Sequence, residues 1–246
     1  MAAEGELTFG EVIQGTFDVF GKNIRPIAIY VVIFSIIGTF FEWGVPLVIT
    51  QDSVVDALSD TALLGAFGTV AIVTGLLIFI AAVVAQYMLW AAILQSEGLG
   101  HNPASGRYLA FFGQSILVAL GSGLALLLLV LPMFFVLARW SMAPALLIGN
   151  NRGAVEALGD SWDAVRGNTT PVFLAILVGA LGIALVGGVA GGVDAFTDGT
   201  GSIISLFSIA LAQIISNLGT CLMVALGVFL FGYFYGNTDA LQDVFG

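Results

Sequence analysis

Long apolar stretches alternate with short polar segments along this chain. A helix needs about 20 apolar residues to cross a hydrocarbon core about 30 Å thick. Stretches that meet this need lie at about 27–43, 61–94, 171–193 and 202–235. The second and last are long but too short for two spans each, so each reads as one tilted helix projecting beyond the lipid. The apolar region 109–149 is longer than one span and carries Pro132 near its middle. It reads as a hairpin, with spans at about 110–131 and 133–149. The pattern therefore predicts an all-α membrane protein, a bundle of six transmembrane helices forming a single integral membrane domain over 1–246.

Two segments show a helical period in place of a continuous apolar run. Over 8–24, Phe9, Val12, Ile13, Phe17, Phe20 and Ile24 share one face, with Glu11, Gln14, Asp18 and Lys22 opposite. Thr8 with Glu11 three residues later has the form of a capping box. Over 152–168, Val155, Leu158, Trp162 and Val165 repeat the design, and Glu156, Asp160, Asp163 and Arg166 point away. Both are expected to be amphipathic interfacial helices, acting as elbows before Pro26 and Pro171 or as docking surfaces for lipid or a partner.

Charge fixes the parity of the spans. The Lys and Arg residues are Lys22, Arg25, Arg107, Arg139, Arg152 and Arg166. With six spans all but Arg139 fall on one side, and the opposite loops carry Glu42, Asp52, Asp56, Asp60, Asp194 and Asp198. Cytoplasmic loops attract Lys and Arg, so both termini are expected in the cytoplasm of a prokaryotic cell, with the spans in its inner membrane. A self-similarity supports the same parity. Glu11, Thr16, Phe17, Asp18, Asn23 and Pro26 correspond to Glu156, Ser161, Trp162, Asp163, Asn168 and Pro171 at a constant offset of 145. Two copies of one orientation need an even number of spans between them.

Composition then narrows the chemistry. The chain is 59% hydrophobic and only 9% charged, against roughly a quarter charged in soluble domains. Its net charge of −10 leaves no basic surface for nucleic acid. The N-terminus is acidic and lacks the basic region of a cleaved signal peptide, so the first span is expected to serve as its own insertion signal. One cysteine, Cys221, and one histidine, His101, exclude an intrachain disulfide and a His-based metal site, so no cofactor is expected. No serine elbow, Cys–His pair or metal-ligand cluster is present, which argues against an enzyme.

Three features remain. Arg139 lies within an apolar stretch, where a charge is either functional or snorkels to a headgroup or to helix carbonyls. Gln213, Ser216, Asn217 and Thr220 share one face of the last span, with Gln86 of the second span as a cross-helix partner. They form a polar path for a solute or a set of interhelical hydrogen bonds. Finally, Gly179, Gly182, Gly187, Gly188, Gly191 and Gly192 enrich the fifth span, where small-xxx-small spacing is expected to bring helices together inside the bundle.

The stretch 131–173, LPMFFVLARWSMAPALLIGNNRGAVEALGDSWDAVRGNTTPVF, resembles the membrane domain attached to some bacterial glycerophosphodiester phosphodiesterases and the related YciC-like membrane proteins. The shared elements are a proline ending an apolar run, an aromatic-Ser-Met-Ala-Pro segment, and a helix bearing Ala157, Leu158 and Ser161 before Arg166 and Gly167. The opening LTFGEVIQGTFDVFGKNIRP is similar too. The resemblance implies a six-helix membrane protein without catalysis, since the phosphodiesterase domain is absent. The expected role is a structural or accessory module that binds membrane lipid, a partner membrane protein or a second copy through Phe17, Trp162, Arg139 and Arg166. The alternative is a small transporter or channel using Arg139 and the polar stripe.

Overall fold

A computed structural model describes residues 6–44, 61–100, 106–195 and 202–245. These residues are helical, in the order α1 (Phe9–Lys22), α2 (Ile24–Thr39, continued by a π-helical turn Phe40–Gly44), α3 (Thr61–Ser96), α4 (Tyr108–Leu128), α5 (Val130–Trp140), α6 (Ala143–Gly149), α7 (Ala154–Ala164), α8 (Thr169–Ala195) and α9 (Ile203–Phe245). Six helical segments are long and apolar enough to cross a membrane: Ile24–Trp43, Ile72–Ser96, Tyr108–Leu127, Val130–Gly149, Thr169–Val189 and Ile203–Gly236. The long second and last regions are each one continuous helix.

Local chemistry sets the boundaries. The hairpin turns at Leu129, which is extended at φ −177° and ψ 161°, three residues before Pro132. Pro132 sits in the first turn of α5, where its missing N–H costs nothing. Pro144 likewise opens α6. Thr8 caps α1: its backbone N–H and hydroxyl both donate to Glu11 Oε2 at 2.8 Å. Gly153 N–H donates to Glu156 Oε2 at 3.1 Å at the start of α7. Gly167, at φ +98°, makes the left-handed turn between α7 and α8 that a side chain would resist.

The chain divides into two compact units. The first comprises Met1–Ala28, Gln86–Gly182 and Gly219–Gly246. Its core is apolar and close: Val12, Ile27, Tyr87, Ile93, Phe111, Met142, Val165, Val172 and Phe231 are buried, and so is all of α6 except Pro144. The second comprises Ile29–Ala85 and Ile183–Leu218. Within it Ser35, Ser205 and Ser208 are buried while Ile72, Leu77, Leu185, Ile203 and Phe207 are exposed. Apolar side chains outward and small polar ones inward is the arrangement lipid solvent favours.

The glycines of α8 do not pack as their spacing suggests. A Cβ built on Gly179, Gly182, Gly187, Gly188 or Gly192 meets nothing within 4 Å. Close helix contact arises instead at Gly15 beneath Phe229, Gly121 beneath Trp140 and Gly227 beneath Trp90. Small residues admit a neighbour only where one arrives.

Candidate functional site

Both segments of helical period form short helices in the first unit. In α1, Val12, Thr16 and Val19 are buried, with Asn23 beyond its end. The neighbouring face of α1 carries Phe9, Ile13, Phe17 and Phe20, and Ile24 opens α2. Phe9 and Phe17 are exposed, Phe17 to 56%, while Ile13 and Phe20 are half-buried, so this apolar stripe flanks the packed side. Asn23 anchors the end of α1. Its Nδ2 donates to Val19 O at 2.9 Å and Glu97 Oε1 at 2.8 Å, and its Oδ1 accepts from the Ser96 hydroxyl. Lys22 Nζ lies 3.6 Å from Glu97. Asn168, 145 residues on, accepts from Leu7 N at 2.8 Å.

Arg139 is consumed inside the protein. Its Nη1 donates to Trp162 O at 2.7 Å, and its guanidinium lies over the rings of Phe135 (5.5 Å) and Trp162 (5.0 Å). The Ser161 hydroxyl donates back to Arg139 O at 2.7 Å. One carbonyl near the end of α7, Trp162 O, thus receives the cation, and α5 and α7 are clamped together. Arg166 remains exposed. Arg152 bridges Glu156 at 2.5 Å and Asp160 at 3.1 Å, so these two carboxylates face a cation.

The polar stripe of the last span divides between the units. In the second unit, Gln213 Nε2 donates to Glu42 Oε2 at 2.7 Å, and Asn217 Nδ2 donates to Ser35 Oγ at 3.2 Å and to Gln213 O at 2.8 Å. These bonds tie α9 to α2 and the turn after it. Ser216 belongs to this unit and also has a polar or ring partner. The arrangement is a polar zipper between α2 and α9. Beside it an apolar groove runs along Val32, Ile36, Phe40, Leu206 and Ile214.

Gln86 and Thr220 belong to the first unit, where they line a cavity of about 280 Å³. Trp90 of α3 also faces it, with Phe111, Gln114 and Ser115 of α4, Trp140 and Ser141 at the end of α5, and Met223 of α9. Two glycines fix its aromatic walls. A Cβ on Gly121 would collide with the Trp140 ring, and one on Gly227 with the Trp90 ring and Ser141 O. Gln114 is only 1% exposed, and neither its Nε2 nor its Oε1 has a hydrogen-bond partner. A buried polar group left so costs about 1–3 kcal/mol.

Gln114 does not stand out when the polar residues of the spans are read for shared helical faces. It is a single glutamine in an apolar helix, and the signal available was that isolation. His101 falls outside the described residues. Among the described residues no three His, Cys, Asp or Glu side chains gather to hold a metal.

No curated protein and no solved structure matches the chain. One family model does match, over residues 61–238, from the start of α3 into α9. That is well over half the chain, which therefore belongs to the family described as a domain of unknown function, DUF7847.

Proposed function

We propose that this protein is a non-enzymatic integral membrane module that binds membrane lipid through α1, seated in a prokaryotic cytoplasmic membrane with both termini inside. The observation that carries the reading is the α1 stripe. Phe9, Ile13, Phe17 and Phe20 share a face beside the packed one, with Phe9 and Phe17 exposed, while Glu11, Asp18 and Lys22 lie opposite. A helix of this kind rests in the headgroup layer with its apolar side among acyl chains.

Charge supports the orientation. All six Lys and Arg residues belong to the first unit, and the second unit holds none. The loops that carry these residues then lie on the cytoplasmic side. Lys22, Arg25 and Arg166 are exposed there and suit phosphate oxygens of anionic lipid. Trp162 and Arg139, engaged with each other, set the position of α7 and contribute to lipid contact only indirectly. The resemblance of 131–173 to the membrane domains of phosphodiesterases fits an accessory role. The second unit's polar zipper already uses Gln213 and Asn217, so the transport alternative draws no support from them.

Native mass spectrometry of the detergent-purified chain tests the reading. The wild type should retain anionic phospholipid. A variant combining Phe17→Ser, Lys22→Gln and Arg25→Gln should retain several-fold less, with an unchanged melting temperature. Equal retention by both would overturn the proposal. A co-purifying protein in place of lipid would assign the stripe to a partner subunit.

A further inference from the structure

The cavity beside Gln114 is independent of the α1 surface and has its own chemistry. Its lining includes no charged side chain, so an ion inside would lack a counter-charge. Gln114 lines the cavity, and its amide, with two donors and a carbonyl acceptor, is buried without partners. The serines narrow the choice further. Ser115 Oγ donates to Phe111 O at 2.9 Å and Ser141 Oγ donates to Ala138 O at 2.9 Å. Their protons are committed, and what they offer the cavity is oxygen lone pairs. With the Gln86 and Gln114 amides and the Trp90 and Trp140 indoles also in the lining, the cavity offers both acceptors and N–H donors, and a ligand must bring groups that can both donate and accept.

The position of the cavity points to the source. It lies along the spans Tyr108–Leu127 and Val130–Gly149, inside membrane depth. Ala119 in its lining is exposed, as are Ile116 and Leu120 on the same helix, so the cavity adjoins a surface that acyl chains cover. A molecule that reaches it sideways carries an apolar tail. The volume suits a small headgroup and the first part of a chain, at the lower edge of the usual range for ligand sites.

We infer that this cavity binds the hydroxylated, uncharged headgroup of a neutral membrane lipid of the glyceride class, held by the Gln114 amide between Trp90 and Trp140. The vicinal hydroxyls of such a headgroup satisfy both faces of the amide and donate to the serine oxygens. The tail leaves past Ala119 into the bilayer.

Tryptophan fluorescence reads occupancy directly. The chain has four tryptophans, and Trp43→Phe with Trp162→Phe leaves the two that wall the cavity. In detergent micelles, a monoacylglycerol with a brominated acyl chain should quench them saturably. A brominated alkane should need about tenfold more, as lost hydrogen bonds to a buried amide imply. Q114L should lose the saturable phase while melting at the same temperature or higher, because it removes an unsatisfied group. Q114M provides the same comparison should Q114L fail to fold. Several observations would overturn the inference: equal quenching midpoints in wild type and both variants, no saturation in the wild type (a cavity holding water alone), or displacement by glycerol alone, which would place the ligand's source in water.

Discussion

Glu11 and Glu156 each stand three residues inside the start of a short helix, and each holds that start together. Backbone and side-chain hydrogen bonds from Thr8 keep the Glu11 carboxyl below its ordinary range. For Glu156 the Gly153 backbone bond leads, desolvation opposes it, and the Arg152 charge assists in keeping the carboxyl low. A carboxylate whose folded value is depressed contributes stability above its unfolded value and loses it as pH falls through the folded one. Replacing either with Gln should therefore lower the melting temperature at neutral pH. The difference from wild type should shrink toward zero on acidification below the carboxylate range. A pH-independent difference would assign the effect to packing. At this scale the sequence was readable where a rule is local: Thr8 and Glu11 are three residues apart, and the box forms. It was not readable where the partner is distant. Nothing near Arg139 announces that Trp162 O, 23 residues on, will take its proton donor.

Helices meet where a glycine and a bulky partner coincide, and only a fold shows the coincidence. Gly38 and Gly227 look alike in sequence. At Gly38 a new Cβ would run into the Gln213 amide, the far end of a flexible side chain. At Gly227 it would strike Ser141 O and the Trp90 ring. Gly227→Ala should thus destabilise by about 1–3 kcal/mol through overpacking. Gly38→Ala should stay within about 1 kcal/mol of wild type, because helix propensity favours alanine by a similar amount. Thermal unfolding of both in one detergent ranks them, and the reverse order would contradict these contacts. The glycines of α8 make the same point from the other side, since their regular spacing has no described neighbour to receive. The turn between α4 and α5 was legible because the spread of Lys and Arg among the loops required an even number of crossings. Its position at Leu129 was not, because proline is as comfortable one turn inside a helix as at its edge.

The whole molecule separates its charges as it separates its packing. Every Lys and Arg lies in the unit that also holds the elbows, the Arg139 clamp and the Gln114 cavity. Asp194 and Glu42 belong to the other unit. The pattern could be seen in the bare sequence because inserting a basic segment across a membrane is penalised during synthesis, so the bias is written into loop composition. The division of the polar stripe could not, since residues on one face of a long helix share direction but not depth. Cysteine labelling examines the parity itself. Cys221 is buried and should stay silent. In intact cells Asp56→Cys should react with a membrane-impermeant maleimide, and Asn151→Cys should react only once the membrane is opened. If both sites react from one compartment, an odd number of crossings separates the two elbows. The basic unit would then straddle the bilayer, and the lipid surface assigned to α1 would lose its leaflet.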